Sequence, residues 1–297
     1  MSHIESSLPT TLYYYKDPRG NFGDDLNPWI FPRLLGREFK FADFSSSEPT
    51  LIGIGTLLGQ EFPEKVRKIV FSTGAGYGTS KPTASPNWDI RCVRGPLTAK
   101  LLGLDPKLAI TDGAILLAAL REHLPAPRTG LPSKIGVFLH HKSATERNWR
   151  PICEQAGLHY LDPHQSVEDT LAEMQSLDCI ICEAMHGAIV ADTLRIPWIP
   201  IKIYSHINEF KWNDWTRSLN LDFFPVSSPF PMSIPRLSTS RQVVNKAYHA
   251  CVDFLTSKNV ELSQWLRLVS RSDVRYLSAD RDFNDRLERL VDLAGEL

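Results

Sequence analysis

Short apolar runs alternate with amphipathic stretches as far as about residue 220, and the alternation predicts strands and helices in turn. Runs at 11–15, 38–41, 51–54, 68–72 and 89–93 read as strands, and residues 26–35 and 96–102 read as helices. The second helix is punctuated at both ends: Gly95 and Pro96 open it, and Gly103 stops it. Residues 124–133, LPAPRTGLPS, have no periodicity and read as a linker. A second series follows, with strands at 134–139, 179–182 and 198–201 and helices at 144–156 and 167–176. A further helix is expected between His186 and the last of these strands. Residues 208–221, rich in Trp, read as helical, and 225–240, rich in Pro and Ser, as a loop. Beyond it Val243, Val244, Tyr248, Cys251 and Leu255, then Leu262, Trp265, Leu266 and Val269, recur at helical spacing. The expected architecture is α/β with two Rossmann-like domains, 1–125 and 134–225, and a helical region, 239–297, packing back on them. A cleft between two such halves is the default place for chemistry.

Composition narrows the class without changing this picture. Of 297 residues, 42% are hydrophobic and 23% charged, ordinary for a globular protein with a sizeable core. A formal net charge of −1 argues against nucleic acid as a partner. The polar N-terminus, MSHIESSLPT, lacks the core of a signal peptide, and no apolar stretch reaches the length of about 18 residues that a membrane span needs. The five cysteines are scattered, which suggests reduced thiols and a cytoplasmic location. Cys179 and Cys182 form a C-x-x-C inside an apolar strand, better read as core thiols than as metal ligands; no metal is expected.

Candidate chemistry lies where strands meet helices, because open α/β sheets bind ligands at their carboxyl edge. Glu183 and His186 stand at such a junction, just before Gly187. The imidazole there is either an acid–base group or a histidine packed in a turn. In GNFGDDLN, Gly20 and Gly23 permit close backbone approach, while Asn21, Asp24, Asp25 and Asn27 supply polar groups near a helix start. The plainer alternative has Asp25 capping the helix and Asp24 facing solvent. Arg94 lies between a strand end and a helix, where its planar fork suits a carboxylate or phosphate; the alternative is a structural ion pair, for instance with Asp112. At the end of the first strand of the second half, one of His140, His141 or Lys142 is expected to face the site. The glycines of FSTGAGYGTS, residues 71–80, form another bordering loop.

GNFGDDLN, VRGPLTAKLLG, ITDGA and EAMHGAIVADTLRIPWIPI, in this order, resemble the polysaccharide pyruvyl transferases over about residues 12–205. The variants of these motifs are most similar to the subset acting on exopolysaccharide repeat units of the succinoglycan kind. The resemblance implies a GT-B-like two-domain arrangement and phosphoenolpyruvate as donor substrate, with no cofactor. It also implies a sugar acceptor, free or lipid-linked, which leaves contact with the inner membrane face open. His186 matches the histidine given the acid–base role, and Arg94 the arginine that holds the donor. Many members carry an arginine two residues before the histidine, where this chain has Ala184. Lys142 and Lys202, with His140, are expected to supply that charge, Arg195 less so, and Glu183 to orient His186. A nucleotide-sugar glycosyltransferase and a non-catalytic carbohydrate-binding or assembly protein stay open as alternatives.

Overall fold

Buried apolar runs become parallel strands in this protein, whose computed structural model describes residues 8–45, 47–77, 87–233 and 258–297. The chain forms two units. In the first, β1 (Thr11–Tyr13), β2 (Lys40–Phe41), β3 (Thr50–Ile52), β4 (Lys68–Phe71) and β5 (Trp88–Cys92) make one sheet in the order β2-β1-β3-β4-β5. All of its pairs are parallel. Helix α1 (Phe22–Leu35) connects β1 to β2, and α2 (Pro96–Leu102) follows β5. Asn21, in extended conformation, caps α1, and the Asp25 carboxylate reaches back to accept its N–H at 2.9 Å. Pro28 lacks the N–H that would bond the Asp24 carbonyl, so the Asn27 amide donates to that oxygen instead, at 2.9 Å.

The second unit repeats the topology. Strands β6 (Ile135–Phe138), β7 (His159–Leu161), β8 (Cys179–Cys182) and β9 (Trp198–Tyr204) alternate with α3 (His141–Glu146), α4 (Arg150–Ala156), α5 (Val167–Met174) and α6 (Met185–Thr193). The chain then returns to the first unit for α7 (Glu209–Ser218), to the second for β10 (Val226–Met232) and α8 (Lys258–Ser270), and ends in the first with α9 (Asp280–Ala294). The second sheet runs β10-β9-β8-β6-β7, also all parallel. Read from β7, this is the same relative order as in the first unit. Each sheet therefore has a point where strand order reverses, between β1 and β3 and between β6 and β8, and ligands bind outside the carboxyl ends at such points.

Strand β8 is buried throughout, which is why it reads as a continuous apolar run. Its cysteines, with Cys92 and Cys153, are buried thiols. Two local differences from the sequence expectation have physical causes. The helix expected at 144–156 is two, because the ring of Pro151 would meet the carbonyl of residue 147 in a continuous helix. Strand β10 lies in the Pro- and Ser-rich text expected to be a loop; it is an edge strand, where prolines forfeit no ladder bond on the open side. The run from Gly113 to His123 is 3₁₀-helical and buries Ile115, Leu116 and Leu117. Leu262, Trp265, Leu266 and Val269 are core residues of α8, while Val243, Val244, Tyr248, Cys251 and Leu255 lie outside the described residues. Among the described residues, no helix is long and apolar enough to cross a membrane.

Candidate functional site

Polar groups gather at the carboxyl edge of each sheet. In the first unit the centre is Arg94, which follows β5 and is 0% exposed. Its Nε donates to Asp214 at 3.1 Å, Nη1 to the Gly55 carbonyl at 3.1 Å and the Thr56 hydroxyl at 2.9 Å, and Nη2 to the Ala75 carbonyl at 2.9 Å. A Cβ on Gly74 would lie 2.2 Å from this guanidinium, so the glycine loop is shaped around it. Asp214, on α7, also accepts from the Thr98 N–H at 2.8 Å and the Thr98 hydroxyl at 2.6 Å. Arg94, expected to hold the donor's phosphate or carboxylate, is thus enclosed, with its fork committed to protein groups. The ion pair foreseen as the alternative exists, but its partner is Asp214, 120 residues away, instead of Asp112.

Beside this network lies Asp24, which faces the interior and accepts from the Asn21 amide. Burial pushes its carboxyl up to about 7, against the pull of Lys211. Asp112 is raised to about 6 by burial, with Arg94 acting in the opposite sense. Asn27 is fully buried and clamps the end of β3, accepting from the Ile54 N–H at 2.8 Å and donating to the Ile54 carbonyl at 2.9 Å. Of the GNFGDDLN loop, then, Asn21, Asp25 and Asn27 build the helix start and the strand end. Gly23 is buried within the first turn of α1, and Asp24 is the group able to exchange a proton near neutral pH.

The Asp24 shift predicts a pH dependence of stability. A carboxyl whose folded pKa exceeds its unfolded value of 3.8 keeps a proton that the unfolded chain releases. Its contribution is complete below pH about 4 and lost as pH rises through about 7. Asp24→Asn is expected to flatten the fall in Tm across that window, leaving the smaller slope due to Asp112. Calorimetric scans from pH 4 to 8 check this, and an unchanged slope would show that Asp24 ionises normally in the fold.

In the second unit the reversal between β6 and β8 brings together His140, Glu183 and His186. Glu183 is 0% exposed. Its carboxylate accepts from the N–H groups of Ile203 and Tyr204, both at 3.0 Å, and of His140 at 3.4 Å. It ties the ends of β6, β8 and β9 together, and burial raises its pKa against these bonds. His186 sits in the first turn of α6 and is the one residue from Cys179 to Thr193 that keeps partial exposure. Gly187 lets that turn close on β6, since a Cβ there would lie 2.5 Å from the Phe138 ring.

His140 Nδ1 accepts from the Lys142 N–H at 3.3 Å, so the contact at 3.3 Å to His206 Nε2 makes that nitrogen the donor. His141 is nearly buried, its ring centroid 4.6 Å from that of His140. The Lys142 side chain is exposed on α3, and Lys202 is half-buried within β9, pairing with Ser227 of β10. Arg195 lies at the far end of α6 from His186 and pairs with Asp192 at 3.5 Å. Trp212 and Trp215 of α7 are core residues.

His206, Lys211 and Asp214 were not marked by motif. For His206 the available signal is its place one short turn beyond the carboxyl end of β9. For Asp214 there is none, because its partners Arg94 and Thr98 are distant in the chain.

A family model, polysaccharide pyruvyl transferase, matches residues 21–205, a span holding both sheet-edge clusters up to Tyr204. The chain is similar to succinoglycan biosynthesis protein ExoV of Rhizobium meliloti (strain 1021), at 40% identity over 223 residues, covering 73% of this chain and 67% of that relative. No solved structure matches.

Proposed function

Because the chain belongs to the polysaccharide pyruvyl transferase family, we propose that it moves the enolpyruvyl-derived group of phosphoenolpyruvate onto hydroxyls of an exopolysaccharide repeat unit, closing a pyruvate ketal. The observation that carries the reading is His186 at the strand-order reversal of the second sheet, a residue that keeps partial exposure, with its Nε2 enclosed, in a segment otherwise buried. His186 delivers a proton to the methylene carbon of the donor while a sugar hydroxyl attacks the neighbouring carbon. A second hydroxyl then displaces phosphate, so one hydroxyl proton replaces the proton taken from His186 and the other leaves with phosphate. Lys142 and Lys202, with the Nε2–H of a neutral His140, favour an anionic donor at this edge. Glu183 is a positioning residue, and Arg94 holds the loops of the first unit instead of the donor.

The test is incubation with phosphoenolpyruvate and succinoglycan-derived oligosaccharides. Phosphate release requiring both substrates, with a product carrying the pyruvyl mass, is expected. A thermal shift adds a second readout: phosphoenolpyruvate raises Tm and a nucleotide sugar does not. The opposite preference would replace this reading by glycosyl transfer.

A further inference from the structure

Parallel sheets are ordinarily covered by helices on both faces. Around Tyr13 of the first unit, the cover comes from aromatic side chains on loops and on the edge strand. The Tyr13 ring meets Phe44 at 5.0 Å between centroids, Phe62 at 5.3 Å and Phe41 at 6.3 Å. Phe62 continues the series to Trp88 at 5.7 Å. None of these rings is buried, and Phe41, on the two-residue edge strand β2, is 44% exposed. Half-exposed rings in a continuous row are uncommon on a surface with no partner.

The chemistry between the rings indicates the occupant. A cavity of about 250 Å³ adjoins Phe41 and Phe44, and its walls include Lys40, Asp43, Ser45 and Glu48. The Tyr13 hydroxyl donates to Gln60 at 2.8 Å. A face built for another protein is depleted of charge at its centre, and a face built for anionic lipid is basic, whereas this cavity sets two carboxylates and one lysine beside Phe41 and Phe44. A sugar uses both kinds of group, its C–H faces against rings and its hydroxyls toward carboxylates and hydroxyls. The rings also adjoin the sheet edge: the negative charge of Asp24 raises the Tyr13 pKa after burial, and that of Asp25 does the same for Tyr14.

We propose that Tyr13, Phe41, Phe44 and the cavity beside them form a saccharide-binding platform that holds the polysaccharide chain on the first unit. The inference rests on the reading of the chain as a transferase acting on polysaccharide, and it names where the polymer is gripped.

Calorimetric titration of the full chain with succinoglycan-derived oligosaccharides, without donor, tests it. Saturable binding is expected, weakened about tenfold or more in Phe41→Ala, the scale of losing one stacked ring. Because Phe41 is exposed, Tm should stay near that of the wild type. Phe41→Tyr keeps a ring and is expected to keep the affinity. Phosphoenolpyruvate titrated into the same variants should bind as in the wild type, which separates failure of the platform from failure of the donor assignment. Equal sugar affinity in Phe41→Ala, or no saturable binding to the wild type, would overturn the proposal whichever way the donor titration comes out.

Discussion

His186→Ala is expected to lower turnover by about 10²–10⁴-fold, the contribution of one general acid, with fold and donor affinity kept. The expectation follows from where the side chain sits. His186 occupies the first turn of α6, is only partly covered, and stands in a segment whose other residues are buried by the sheet. Alanine is a good helix former, and His186 is a partly exposed residue in the first turn of α6, so stability should change little. Proton transfer to a carbon centre is a demand made in the transition state, so kcat and kcat/KM should fall together. Steady-state kinetics with phosphoenolpyruvate, paired with a thermal melt, make the measurement. Wild-type turnover in a correctly folded variant would remove His186 from the chemistry.

The second large effect is on stability. Arg94→Ala leaves Asp214 buried without its cation and strips the Gly55 and Ala75 carbonyls of a donor. Breaking a buried pair from one side costs about 3–5 kcal/mol. Domains are stable by only about 5–15 kcal/mol, so a drop in Tm of about 10 °C or more is expected. Scanning calorimetry of Arg94→Ala and Asp214→Asn should show both variants destabilised. A variant with unchanged Tm and weakened phosphoenolpyruvate binding would restore Arg94 to the donor site and refute the positioning role.

Most strands were legible because parallel sheets bury both faces and so write themselves as apolar runs; β7, three residues beginning with His159, is too short to do so. Punctuation by Gly95, Pro96 and Gly103 likewise set α2 in its observed place. Strand β10 was hidden because Pro229 and Pro231 argue against a strand, and only its edge position makes them harmless. The sheet edges were legible too, since strand, loop and helix in succession bring Asn21, Arg94, His140 and His186 to carboxyl ends. What the side chains do there was not. Arg94 carries the same charge whether it grips a donor or a carboxylate, and its partner lies 120 residues on. Asp24 reads like any acid in a loop until burial, with Gly55 and Lys211 beside it, changes its behaviour.

Sequence alone therefore determined the α/β class, the edges where chemistry gathers and the family, all of which depend on local order and spacing. Tertiary structure decided which charged groups are enclosed and which keep access: Arg94 and Glu183 inside, His186 partly exposed, and the rings around Tyr13 half-covered. Burial is the reason. It is set by residues distant in the chain, and it governs whether an ionisable side chain spends its hydrogen bonds on the protein or on a ligand.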